Sequence, residues 1–268
     1  MNRIDERFRI LHQQNKKALS LFVTTGYPTS DTTIPLIVEL AKSGGDFIEI
    51  GIPFSDPVAD GPTIQHSSEI ALQNGTTLQS TLAMAKGIRG QSDVPLILMG
   101  YANPVLAYGM EKFLDSCRSV GVDGSIIADL PLEESQEYRS LASERGISTI
   151  FLAAPTTSNE RLKKLDIASG GFLYCISVTG VTGERTGLPA NAVEFLRQTK
   201  EHVIRNPIMA GFGISTPDDA VILAKECDGI IIGSALIKII GNSTDKNTIE
   251  TASDFVRKVR IALDTISI

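Results

Sequence analysis

The chain has 268 residues, 31 acidic against 25 basic side chains, a formal charge of −6, and 42% hydrophobic and 21% charged residues. This is the composition of an ordinary globular protein. An acidic chain without a Lys/Arg run has no electrostatic footprint for nucleic acid or an anionic membrane. The polar N-terminus MNRIDERFRILHQQNKKA has no signal-peptide core, and no stretch is apolar enough to span a bilayer, so a cytoplasmic location is expected. Cys117, Cys175 and Cys227 lie far apart and form no CxxC pair. They are expected to be small buried residues rather than a zinc site or a disulfide framework.

A polar helix over about Arg3 to Gln14 opens the chain. Short β-type runs follow at Leu19 to Thr25, Phe47 to Gly51, Leu96 to Gly100, Gly124 to Ala128, Ser148 to Leu152, Phe172 to Ile176, Pro207 to Ala210 and Gly229 to Ile232. Helical patterns separate them, for example Thr32 to Ser43, Met110 to Val120, Glu133 to Arg145 and Pro217 to Glu226. Such alternation implies a parallel sheet, and this strand count at this length favours a closed (β/α)8 barrel. The whole chain then forms a single domain, 1–268, with the first helix plugging the barrel floor. The runner-up, an open doubly wound sheet, calls for a nucleotide-binding glycine turn after the first strand, and TTGYPTS is not one.

A barrel carries its chemistry in the loops after its strands. Gly211, Phe212 and Gly213 follow strand seven; Gly233 and Ser234 follow strand eight, with Ala235 to Ile240 as a short helix. Glycines bring backbone N–H groups close to an anion, and a helix N-terminus adds unpaired donors, so these two loops point to a bound phosphate. The alternative is that they are plain turns. In FIEIG, Ile48 and Ile50 share one face and Phe47 and Glu49 the other. With the isoleucines toward the helices, Glu49 points into the barrel. Burial there raises its pKa, so that it can exchange protons near neutral pH. A structural Glu paired with a base is the competing reading, although the expected strands contain no Lys or Arg. Asp56 and Asp60 share the next loop, where either can equally serve as a cap or turn residue; spacing does not choose between them. No strand-end Lys is available for a Schiff base, and His12, His66 and His202 are scattered over helical segments, so carboxylates must do the acid–base work on a substrate with its own electron sink.

The run IEIGIPFSDPVADGPTIQ, Ile48 to Gln65, resembles the signature of the tryptophan synthase α subunit family. ALSLFVTTGYP, LMGYANPV, DLPLEES, APTT, YCISVTGVTGERTGLP, GFGIST and GSALIKII follow in family order, covering about Ala18 to Ile240. The resemblance implies retro-aldol cleavage of indole-3-glycerol phosphate to indole and glyceraldehyde 3-phosphate, with no metal or cofactor in this chain. It implies that Glu49 carries the proton, Asp60 stabilises charge at the indole nitrogen, and Tyr174 is the active-site tyrosine. Gly183, Gly213, Gly233 and Ser234 are the implied phosphate contacts. Phe22, Phe212, Ile64, Ile126 and Ile231 are the implied indole pocket. The loop Val178 to Leu188 resembles a lid, with Thr182 closing toward Asp60. A β subunit carrying pyridoxal phosphate is the implied partner, in an α2β2 complex, facing Pro53, Asp56, Pro57, Asn103 and Pro104. Leu21 stands where the family commonly has Pro. A free-standing lyase that releases indole and a non-catalytic ligand-binding subunit are the alternative readings.

Overall fold

The apolar runs at Ala18–Thr24, Phe47–Gly51, Gly124–Ile127 and Gly229–Ile232 are buried along their whole length, as strands between a filled interior and a layer of helices must be. The computed structural model describes residues 2–177, 188–189, 191–243 and 247–266. Among these the strands are β1 (Ala18–Thr24), β2 (Phe47–Gly51), β3 (Leu96–Gly100), β4 (Gly124–Ile127), β5 (Ser148–Thr149), β6 (Phe151–Ala153), β7 (Leu173–Ile176), β8 (Ile208–Gly211) and β9 (Gly229–Ile232). All neighbours are parallel, in the order β5-β4-β3-β2-β1-β9-β8-β7-β6.

The two ends of that order are consecutive pieces of one chain run, so the sheet closes on itself as the barrel expected from the alternation. The run read as one strand, Ser148 to Leu152, is divided at Ile150. Ser148 and Thr149 pair with Gly124 and Ser125 of β4, whereas Phe151 to Ala153 pair with Leu173 to Cys175 of β7. Closure requires tilted, staggered strands, so one strand meets its two neighbours at different heights. The other strands lie within a residue or so of their expected positions.

Two side-chain layers follow from the period of two. Ile48 and Ile50 of β2 join the outer core beneath the helices, while Phe47 joins an inner cluster with Ile97, Ile126, Phe172, Met209 and Ile231. Helix Arg3–Gln13 closes the floor of that interior. Its Ile4 and Leu11 belong to the inner cluster, and the Phe8 ring lies 4.7 Å from that of Phe47 and 6.1 Å from that of Phe172.

A repeated carboxylate pins the floor. Asp46 accepts from the Leu19 N–H (2.8 Å), Asp123 from the Leu96 N–H (2.9 Å) and Asp228 from the Ile208 N–H (2.7 Å). In each case an Asp just before one strand receives the first free donor of the preceding strand in sequence. Buried Asp46 also binds Arg7 of the floor helix (2.9 Å) and Arg260 of helix Thr248–Leu263 (3.1 Å), tying both ends of the chain to the barrel.

Candidate active site

The register sets Glu49 of β2 beside Phe22 of β1 and Ile97 of β3, and the alternation turns its side chain inward. The carboxylate is fully buried. Its Oε1 accepts a hydrogen bond from Ser20 Oγ at 2.6 Å, and its Oε2 is buried without a hydrogen-bond partner among the described residues. Burial pushes the Glu49 pKa up to about 7, against the opposing pull of the Ser20 hydroxyl. At that value the group can both give and take a proton at neutral pH.

Asp60 and Asp56, left undecided by spacing, have different surroundings. Asp56 is exposed and bonded to Ser55 at 2.5 Å. Asp60 is half-buried and accepts from the Tyr101 hydroxyl at 2.8 Å, while that hydroxyl in turn accepts the Ala59 N–H at 3.1 Å. Burial raises the Asp60 pKa and the Tyr101 bond lowers it. Tyr174 of β7 lies inside the barrel, where burial first, then the Glu49 and Asp60 charges, keep its phenol protonated. Glu49, Asp60 and Tyr174 thus belong to one electrostatic group built from three parts of the chain.

Glycines at strand ends make room for the rings. A Cβ on Gly51 would stand 2.5 Å from the Phe22 ring, and one on Gly211 would stand 2.6 Å from the Tyr174 ring. Ile126 and Ile231 lie in the inner cluster, against which Met99 and Tyr174 pack. Phe212 is buried in the larger apolar cluster that also holds Phe22, edge-on to Phe195 at 6.2 Å, and Ile64 packs against that same cluster.

After β8, Gly213 holds φ +72° with open space where a side chain would begin. Its left-handed backbone disfavours other residues. After β9, Gly233 precedes helix Ser234–Asn242, somewhat longer than the sequence pattern indicated, whose first turn leaves N–H donors unpaired by the helix itself. Gly183, Thr182 and the loop Val178 to Gly187 lie outside the described residues. On the loop after β2, Asp56 is exposed and Pro57 half-buried, but Pro53 is buried and offers no surface; Asn103, exposed, and Pro104, half-buried, lie in the helix Ala102–Tyr108 that follows β3. The largest apolar exposures of these two segments belong instead to Val58 (81%) and Leu106 (64%).

Sequence reading passed over Tyr101, Ser20 and Gly51, and read Gly211 only as part of a phosphate turn. Tyr101 follows directly after β3, where barrels place functional side chains, and that position was its signal. Ser20 places a hydroxyl on the inward face of an apolar run, two residues from Phe22. Gly51 and Gly211 end their strands, but which ring each admits depends on contacts distant in sequence. No group of three or more His, Cys, Asp and Glu able to hold a metal occurs among the described residues, and no described helix is long and apolar enough to cross a membrane.

A filled barrel with proton-exchanging groups gathered inside toward the strand ends defines the class: a (β/α)8-barrel enzyme. The particular family emerges from its relatives. The family model for the tryptophan synthase alpha chain matches residues 8–263. The tryptophan synthase alpha chain of Geotalea uraniireducens is 45% identical over 266 residues, 99% of each chain, and that of Geobacter sulfurreducens is 43% identical, covering 98% of this chain and 99% of its own. The crystal structure of tryptophan synthase subunit alpha from Legionella pneumophila superposes with a TM-score of 0.90 at 35% identity, covering 99% of this chain and 100% of its own. A chain of the tryptophan synthase α2β2 complex from Pyrococcus furiosus gives 0.85 at 40% identity, covering 91% and 98%. The chain belongs to the tryptophan synthase alpha chain family.

Proposed function

We propose that this chain, as one catalytic domain, cleaves indole-3-glycerol phosphate by a retro-aldol reaction in which Glu49 carries the proton. The observation that carries this reading is the inward, fully buried Glu49 with its pKa near 7, inside a chain of this family. The protonated carboxyl delivers its proton to the third carbon of the indole ring, and positive charge develops at the ring nitrogen. Asp60, steadied by Tyr101, stabilises that charge where it appears. The carboxylate of Glu49 then takes the proton of the neighbouring glycerol hydroxyl. The O–H electrons form the new carbonyl, the carbon–carbon bond breaks, and its electron pair restores the aromatic ring. Glu49 ends protonated as it began, so no external acid or base is consumed.

The turns at Gly213 and Gly233–Ser234 suit the phosphate, with Gly183 as a further contact, while Phe22, Phe212, Ile64, Ile126 and Ile231 form the ring pocket. The loop bearing Asp56 and Pro57 and the helix bearing Asn103 and Pro104 face a tryptophan synthase β subunit in an α2β2 complex; Val58 and Leu106 supply apolar area there. Pyridoxal phosphate belongs to that partner, and this chain works without a metal or cofactor. Its free, buried cysteines are in keeping with the cytoplasm. The test incubates the pure chain with indole-3-glycerol phosphate and assays indole, with and without a β subunit. Indole release that falls at least about 100-fold in Glu49→Gln supports the reading. Near-normal release by that variant overturns the role of Glu49, and no indole under either condition overturns the reaction.

A further inference from the structure

We propose that Ser20 is a positioning residue for Glu49: its hydroxyl holds one carboxylate oxygen from the floor side of the barrel and leaves the other for the substrate. The inference rests on the reading of Glu49 as proton carrier.

Ser20 lies on β1 opposite Phe47 of β2 and Ile231 of β9, one alternation step closer to the floor than Phe22, which lies opposite Glu49. Both Ser20 and Glu49 are fully buried. The Ser20 hydroxyl is therefore set among apolar side chains, where an unpaired O–H is costly to bury. It donates to Glu49 Oε1 at 2.6 Å, a short bond of the charge-assisted kind. A carboxylate tethered by one oxygen from below cannot swing freely toward the outer strand layer. Its second oxygen, Oε2, remains without a hydrogen-bond partner among the described residues.

The same bond sets the proton affinity. A donor to the carboxylate favours the ionised form, and this hydroxyl opposes the upward push of burial. Other groups facing Glu49 do not take over that role. Phe22 on β1 and Ile97 on β3 flank it and are apolar. Tyr174 on β7 is held protonated by burial and by the charges of Glu49 and Asp60, and Asp60 is engaged by Tyr101. Without Ser20 the carboxylate keeps its burial and loses its donor.

The experiment uses the full chain with its β subunit and three variants, Ser20→Ala, Ser20→Thr and Glu49→Gln. The Glu49 titration is followed by carbon NMR on chain labelled at the glutamate carboxyl carbon, its resonance assigned by its loss in Glu49→Gln. The pH dependence of kcat and KM for indole-3-glycerol phosphate is measured in parallel. In Ser20→Ala the Glu49 midpoint rises by about one pH unit, the scale of one hydrogen bond to a charged group. The limb of the kcat profile set by Glu49 moves up with it, and KM stays close to its original value. Ser20→Thr, which keeps the hydroxyl, returns both toward their starting positions. An unshifted midpoint in Ser20→Ala overturns the proposal. So does a shifted midpoint with an unshifted kcat profile, or an equal shift in Ser20→Thr, which would attribute the effect to core volume. Full turnover by Glu49→Gln instead overturns the carrier reading itself, which the NMR midpoint does not depend on.

Discussion

Replacing Glu49 with Gln should stabilise the protein in a pH-dependent way. The unfolded chain releases the Glu49 proton near the ordinary value of 4.5, whereas the folded chain holds it up to about 7. Below 4.5 both states bind the proton and ionisation costs nothing. Between those values the folded state binds more protons than the unfolded state, so stability falls as pH rises; above about 7 the full cost is present. At about 1.4 kcal/mol per pH unit, keeping an ionised Glu49 inside the barrel costs about 3 kcal/mol. Gln has the same shape and no proton to lose, and any cost of burying its amide is the same at every pH. The stability of Glu49→Gln relative to the parent should therefore improve by about 2–3 kcal/mol between pH 5 and pH 8.5. For a chain of this size that is about 5–10 °C in Tm. Thermal unfolding of both proteins at the two pH values reads it directly. A Tm difference that is the same at pH 5 and pH 8.5 would mean that Glu49 is ionised well below neutrality, and the case for proton exchange at neutral pH would fail. A confirmed effect would show the site trading stability for a poised carboxyl.

Three further outcomes follow from the geometry. Tyr101→Phe removes the bond that lowers the Asp60 pKa, so the Asp60 limb of the kcat profile should move to higher pH and turnover should drop about tenfold; a parental pH profile would remove Tyr101 from the site. Gly213→Val puts a β-branched residue at φ +72°, a strain of about 1–2 kcal/mol, and its side chain crowds the phosphate turn. Calorimetry with glycerol 3-phosphate should show at least a tenfold loss of affinity with the fold intact, and unchanged affinity would move the phosphate elsewhere. Asp46→Ala takes a shared carboxylate from Arg7, the Leu19 N–H and Arg260, of which Arg260 keeps the Lys17 carbonyl and Asp264, so unfolding should show a loss of about 3 kcal/mol. KM for indole-3-glycerol phosphate should not change, because the floor is remote from the strand ends, and a raised KM would argue against that separation.

Much of this was legible in the chain itself. A strand's side-chain period of two is a property of the backbone, so Phe47-Ile48-Glu49-Ile50 already announces an inward carboxylate between outward isoleucines. Alternation of short apolar runs with helical patterns was enough for the barrel, and a helix at the start of the chain could be read as its floor, although which of its side chains enter, Ile4, Phe8 and Leu11, came from the packing. Glycine turns after the last two strands are local chemistry and could be read locally. The tertiary structure decided who meets whom. Ser20 reaches Glu49 across 29 residues, and Tyr101 singles out Asp60 rather than Asp56 across 41. Gly51 is glycine because Phe22 needs the space, and Gly211 because Tyr174 does. The division at Ile150 arises because the fifth run must satisfy β4 on one side and β7 on the other at different heights. Local pattern records the direction each side chain takes from its own backbone. Partners depend on register and stagger, which are set jointly by every strand in a closed barrel and so cannot be read from any one segment.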